Sequence, residues 1–191
     1  MTDKLTITSI NLRCSYTAVT SLISLDKADI YLVQEPPLRG VCCQDYTYID
    51  QNRVGILFHN SLKRQISVIS RSDMTLVISV GSDSNNSIIV GSIYIPPKID
   101  TTTVLTQLES VLDNHAADRL VLGGDFNAIN QLWQSSIKEG LESLPVRRGR
   151  KLEQLLLQRG VSVVSTDAPT HHRGNTIDFF ITNNIPSGKI Q

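Results

Sequence analysis

The sequence predicts a mixed α/β sandwich, with β-sheets inside and helices outside. Three observations carry this expectation. The first forty residues read strand, helix, strand; residues 46–96 break into short β segments divided by turn residues; and the remainder alternates amphipathic helices with apolar strands. One domain, 1–191, is expected, because 191 residues suffice for one sizeable core and no repeat, low-complexity tract or linker divides them.

The elements follow in order. Residues 5–11 are rich in Ile and Thr, which suits a strand, and Ala18, Val19, Leu22 and Ile23 recur at helical spacing. Residues 29–34 return to a continuous apolar run. Ile30-Tyr31-Leu32-Val33 therefore points to a strand covered on both faces, and the intervening helix to a crossover between parallel neighbours. Residues 46–49 and 54–59 flank Asp50-Gln51-Asn52-Arg53, while 75–80 and 87–95 are joined through residues 81–86, which predicts antiparallel hairpins. After Pro96-Pro97, an amphipathic helix carries Val104, Leu105, Leu108, Val111 and Leu112 on one stripe, with N-cap candidates in 100–103. A strand at 119–122 comes next. Residues 130–146 lack periodicity and read as a long surface loop, a functional candidate by length and polarity. A helix from about 149 to 159 buries Leu152, Leu155 and Leu156 and stops at Gly160, and strands at 161–165 and 176–182 complete the chain.

Composition narrows the function classes. Lys+Arg and Asp+Glu both number 18, so no long-range field draws the molecule to a polyanion, and any such binding must come from local patches. The start, Met1-Thr2-Asp3-Lys4, has no signal-like apolar run, and no stretch is long and apolar enough for a membrane span. Cys14, Cys42 and Cys43 show no metal-ligand spacing; three cysteines without a signal read as reduced intracellular thiols.

Polar groups stand at the strand ends. They are Asn11, Gln34-Glu35, Tyr94 in Tyr94-Ile95-Pro96-Pro97, and Gly123-Gly124-Asp125-Phe126-Asn127-Ala128, with Asp178 inside the apolar Ile177-Asp178-Phe179-Phe180. Singly, each has a plain structural explanation: Glu35 a solvated cap, Tyr94 a core-edge aromatic, Asn11 a backbone partner. Asp178 is harder to dismiss, since a carboxylate among apolar neighbours costs several kcal/mol to bury unpartnered. The sharpest signal is Gly-Gly-Asp-Phe-Asn. Its glycines allow a tight turn and close backbone approach after a buried strand, and Asp125 and Asn127, two apart, can face one side. An acid beside an amide suits an attacking water: the acid takes a proton while the amide fixes the angle. A phosphate-cradling loop is the rival, but its Lys-Ser/Thr ending is absent.

Together these motifs resemble the endonuclease/exonuclease/phosphatase superfamily from Thr6 to about Asn183, and within it the apurinic-type endonuclease domain of non-LTR retrotransposons. The nearer likeness rests on Gln131-Leu132-Trp133, Arg148-Gly149-Arg150-Lys151-Leu152 and Ala168-Pro169-Thr170 ahead of Thr176-Ile177-Asp178. Asn130 and Gln134 depart from the residues common there, His and Gly, so site preference does not carry over. The resemblance implies a four-layer α/β/β/α sandwich of two mixed sheets flanked by helices, with the C-terminal strand that bears Ser-Asp-His missing. It also implies Mg²⁺-dependent (or Mn²⁺-dependent) phosphodiester hydrolysis: Glu35 as metal ligand, Asn11 beside it, Asp125 and Asn127 on the attacking water, Tyr94 on the phosphate, and Asp178 shaped to orient a histidine. None of the four histidines follows Asp178, and His171 and His172 read as solvated loop residues.

Double-stranded DNA is the partner so implied, nicked to prime reverse transcription, with a nuclear location and a reverse transcriptase domain in a longer parent. Candidate DNA contacts are Arg147, Arg148, Arg150 and Lys151, four cations within five residues at the start of a helix, and Trp133, which either wedges against DNA or pins its loop to the core. The missing strand implies an unpaired edge beside Asp178, self-association there, and weak or absent nicking. Alternative readings are a phosphatase or phosphodiesterase of the same fold acting on a small or lipid phosphoester, and a non-catalytic nucleic-acid-binding remnant.

Overall fold

The computed structural model describes residues 4–25, 28–37, 43–81, 87–99, 101–137, 140, 142–166 and 168–185. Strand β1 (Ile7–Asn11), helix α1 (Tyr16–Leu25) and strand β2 (Ile30–Gln34) form a crossover unit, and β2 lies parallel to β1. The hairpin β3 (Tyr46–Gln51) and β4 (Val54–His59) completes a four-stranded sheet in the order β1-β2-β4-β3. The second sheet has six strands. It is built from β5 (Ile66–Arg71), β6 (Thr75–Val80), β7 (Ile88–Tyr94), β8 (Arg119–Asp125), β9 (Ser162–Val164) and β10 (Asp178–Asn183), in the order β5-β6-β7-β8-β10-β9. Helices α2 (Thr102–Asn114) and α3 (Leu144–Arg159) complete the elements, with a 3₁₀ turn at Asn60–Gln65.

Side-chain alternation explains the layers. Ile30, Leu32, Ile56 and Phe58 face Leu76, Ile78, Val80 and Val90 of the other sheet, forming an apolar layer between the two. The residues between them, Tyr31, Val33 and Leu57, point the other way and pack with Val19 of α1. On the far face of the six-stranded sheet, Val77, Ile89, Leu120, Leu122 and Ile181 meet Val104, Leu108, Leu112, Leu152 and Leu156 from α2 and α3. Both faces of β2, β6, β7 and β8 are thus covered, which is why those strands read as continuous apolar runs. The result is the four-layer sandwich of the resemblance. No helix among the described residues is long and apolar enough to cross a membrane.

Several expectations need correction. Strand β8 continues through Gly123 and Gly124 to Asp125, so the glycines form no turn. They admit close neighbours instead: a Cβ on Gly124, at φ +158°, would fall 1.8 Å from the Ile93 carbonyl oxygen, and one on Gly123 would meet the Phe180 ring at 2.5 Å. Helix α3 starts at Leu144, not near Gly149, with proline in its first turn and Gly160 in the left-handed cap at φ 63°. The edge expected to lie open beside Asp178's strand is paired in part: β9 binds β10 from Phe180↔Val164 to Thr182↔Ser162, stopping short of Asp178 itself. Strand β5 was not anticipated at all. Cys42, the N-cap candidate Asp100 and residues 186–191 lie outside the described residues.

Candidate active site

The parallel pairs β1/β2 and β7/β8 run in the same sense within their sheets, and their C-terminal ends carry the polar motifs. Register places the groups. Tyr94 pairs with Asp125 across β7 and β8, and Asp125 with Asp178 across β8 and β10, so three functional side chains occupy one row on three neighbouring strands. In the other sheet Asn11 pairs with Gln34, and Glu35 follows immediately.

The two sheet ends are tied together beneath the site. Gln34, fully buried, gives Nε2 to Ser92 Oγ at 3.1 Å and to the Leu32 carbonyl at 3.1 Å, while Ser92 Oγ donates to the Val33 carbonyl at 3.0 Å. A buried amide satisfied this way costs little and locks the sheets in relative register. Above it, Asn11, Arg13, Glu35, Tyr94, Asp125, Asn127, Thr170, His171 and Asp178 line one cavity of about 640 Å³.

Within the cavity, Asn11 Nδ2 donates to Asp125 Oδ2 at 3.0 Å and the Asn127 amide donates to Asp125 Oδ1 at 3.0 Å. Tyr94 donates its hydroxyl to Glu35 Oε1 at 2.8 Å. One Nδ2 hydrogen of Asn127 goes to the Ile95 carbonyl at 3.1 Å. Burial, helped by the nearby charge of Asp178, pushes the Asp125 carboxyl up to about 7, against the lowering bonds from Asn11 and Asn127. Burial also raises Asp178, opposed by Thr170 and the positive charge of Arg13, and raises the Tyr94 hydroxyl, with the Glu35 bond acting in the same direction. The backbone is strained at the same place: Arg13 and Glu35 both sit at φ 46°, left-handed values that such side chains adopt only when their surroundings enforce them, while Asn127 takes φ 44°, which asparagine adopts readily.

Glu35, Asn11, Tyr94, Asp125, Asn127 and Asp178 therefore share one cavity. The proposed DNA contacts do not stay together. Arg148 is 1% exposed, so it is not available to phosphate; its Nη1 donates to the Asn127 carbonyl at 2.8 Å and its Nη2 to the carbonyls of Pro96, Pro97 and Ile99 at 3.1–3.4 Å. It acts as a clamp behind the site, and Gly149 lets α3 press on the Ile129 carbonyl, where a Cβ would fall at 2.0 Å. Arg147, Arg150 and Lys151 are exposed, but Arg150 and Lys151 lie beyond the first turn of α3, and Arg150 pairs with Glu142 at 3.8 Å. Trp133 is no wedge: it is 3% exposed, stacks on Phe179 at 4.6 Å and donates Nε1 to the Ala128 carbonyl at 3.3 Å.

Sequence reasoning missed Ser92, Arg13 and Thr170, and His171 was read as solvated. Thr170 Oγ1 accepts from the amides of Ile177 and Asp178 at 3.0 and 3.1 Å, so the loop before β10 is pinned at the cavity. The Pro-Thr before Ile-Asp was the available signal for it.

The donor set suits a hard divalent cation of the Mg²⁺ kind. Carboxylate and amide oxygens line the cavity, yet no three His, Cys, Asp or Glu side chains among the described residues form a metal cage. A cation that keeps most of its waters and takes one carboxylate fits that arrangement.

A family model described as endonuclease-reverse transcriptase matches residues 88–187. Curated proteins gave no match. Among solved structures, the endonuclease domain of TRAS1, a telomere-specific non-LTR retrotransposon, is similar with a TM-score of 0.76 and 21% identity over 94% of this chain and 85% of that one. A 3′ phosphatase from Neisseria bound to product DNA hairpin matches with a TM-score of 0.62 and 14% identity over 94% of this chain and 86% of that one. Danio rerio TDP2 complexed with single-strand DNA product gives 0.55 and 12% over 95% and 84%. Its structural neighbours are thus nucleases and phosphatases that share the fold. The model match covers more than half of the chain, which belongs to the endonuclease-reverse transcriptase family of the endonuclease/exonuclease/phosphatase superfamily.

Proposed function

We propose that this domain is a divalent-cation-dependent endonuclease that hydrolyses phosphodiester bonds in double-stranded DNA, leaving a 3′-hydroxyl that can prime reverse transcription in the nucleus. The observation that carries the reading is the convergence of Asn11, Glu35, Tyr94, Asp125, Asn127 and Asp178 on one cavity at the C-terminal ends of the parallel strand pairs.

Each group has a task its surroundings suit. Asp125, near 7 and held from both oxygens, is poised to take a proton from the attacking water close to neutral pH. Asn127 keeps Oδ1 and a second Nδ2 hydrogen to angle that water or hold a phosphate oxygen. Tyr94, whose hydroxyl resists ionisation, remains a donor toward charge that develops on the phosphate. Glu35, with Asn11 beside it, would hold Mg²⁺ or Mn²⁺, which when bound neutralises phosphate charge.

Nicking of supercoiled plasmid tests the reading. The protein is expected to nick with Mg²⁺ and not with EDTA, and D125N to lose about 10²–10⁴-fold in rate. E35Q is expected to weaken Mg²⁺ binding in calorimetry. Equal metal affinity in E35Q removes the ligand role, and hydrolysis of small phosphomonoesters without nicking replaces the endonuclease reading by a phosphatase one.

A further inference from the structure

Among the described residues the cavity is lined by three carboxylates, Glu35, Asp125 and Asp178, and by two groups able to carry positive charge, Arg13 and His171. A phosphodiester carries negative charge of its own, so it needs donors there to offset repulsion by the carboxylates. The row of strands separates two poles. Glu35 bonds Tyr94 on β7 at one end, Asp178 on β10 stands at the other, and Asp125 lies between them.

Arg13 and His171 both belong to the Asp178 pole. The charge of Arg13 acts on Asp178, and His171 follows Thr170, whose hydroxyl binds the Asp178 amide. The backbone of both is held in place before any ligand arrives. Arg13 occupies the left-handed region with its amide on Asn11 Oδ1 at 2.9 Å, and the next residue, Cys14, at φ 60°, binds the Glu35 carbonyl at 2.8 Å. His171 closes a tight loop: its amide donates to the Asn175 carbonyl at 2.9 Å and its carbonyl accepts from Gly174 at 2.9 Å. The Arg173 amide donates to His171 Nδ1 at 3.4 Å, which places the ring proton on Nε2 and makes that atom the donor.

We propose that Arg13 and His171 form a two-sided clamp at the Asp178 pole that binds the phosphate of the nucleic-acid strand, Arg13 through its planar guanidinium and His171 through Nε2–H. The clamp rests on the endonuclease reading of the cavity and adds to it the two groups that grip the scissile or product phosphate. A pair of donors of this kind, one of them the charged guanidinium, changes phosphate affinity by about tenfold or more.

Fluorescence anisotropy on the full chain reads the clamp directly, using one labelled oligonucleotide with either a 5′-phosphate or a 5′-hydroxyl, in Ca²⁺ to suppress turnover. The protein is expected to favour the phosphorylated strand about tenfold, with R13Q and H171Q each reducing that preference to less than about threefold. R64Q, on the 3₁₀ turn at the opposite end of the sheet, is expected to keep it. Melting temperature verifies folding. Should R13Q fold poorly, R13G, which deletes the guanidinium and suits the left-handed backbone, takes its place. A preference unchanged in both variants, or absent from the parent protein, overturns the clamp. Nicking distinguishes the two readings: a protein that cuts nothing but shows the expected preference keeps the clamp and loses the endonuclease assignment, and one that nicks with no preference does the reverse.

Discussion

Asp125 stands between opposing influences, and their balance has a consequence for stability. Burial and the charge of Asp178 favour its neutral form, while Asn11 and the Asn127 amide favour the carboxylate; burial wins, at about 7 against an unfolded value of 3.8. The native state therefore holds a proton that the unfolded chain has released between those two values. Its stabilising contribution is complete below the unfolded pKa and is lost as pH rises through about 7. In EDTA, the melting temperature is expected to fall by a few degrees between pH 5.5 and 8, and D125N to show a smaller fall. An identical fall in D125N assigns the pH dependence to other groups. At this scale the acids at strand ends were legible, because a buried strand ending in Asp or Glu leaves the charge nowhere to go except the rim. Arg148 was misread for the converse reason, and of the two readings open for Trp133 the structure takes the pinning one. Charge and aromaticity say what a side chain can bind, not whether it faces solvent, and the carbonyls that Arg148 satisfies belong to loops distant in sequence.

The elements around the site depend on close backbone approach and on that same arginine. R148A removes the donors of the Asn127, Pro96 and Ile99 carbonyls and is expected to cost about 3–5 kcal/mol, the usual penalty for breaking a buried charged network. Nicking should fall as well, although Arg148 does not line the cavity, because both loops carrying Asn127 and Pro97 lose their support; denaturant melts beside rate measurements check this. G124A tests the other contact: with the Ile93 carbonyl 1.8 Å from the new methyl, β7 and β8 must separate, and several kcal/mol should be lost. Most strands of the two sheets and α2 could be read from periodicity, but α3 and β5 show where that signal fails. In α3 the buried stripe passes through Val146, Gly149 and Leu152, so a glycine chosen for helix–loop packing looked like a helix start. In β5 the edge position leaves Ser67, Val68 and Ile69 exposed, and an irregularity between Val68 and Ser70 breaks the alternation a strand would show.

For the whole molecule, a net charge of zero means that DNA can be held only by local arrangements, and two cationic groups on this fold can supply them. One is the Arg13 and His171 pair inside the cavity. The other is the exposed face of α3 with Arg147, Arg150 and Lys151, one helical turn or less from Arg148, whose bonds to Asn127 and Pro97 bring that end of the helix behind the cavity wall. These three side chains are exposed, and the contact of Arg150 with Glu142 is a long surface pair at 3.8 Å, so replacing all three by alanine should change stability little. If the face tracks the DNA backbone, each lost phosphate contact removes one released counterion. The slope of log affinity against log salt should then flatten by as much as about 3 in the triple variant, while the preference for a 5′-phosphate, which belongs to the cavity, stays as in the parent protein. An unchanged slope leaves this face to solvent and confines DNA recognition to the cavity and its immediate rim.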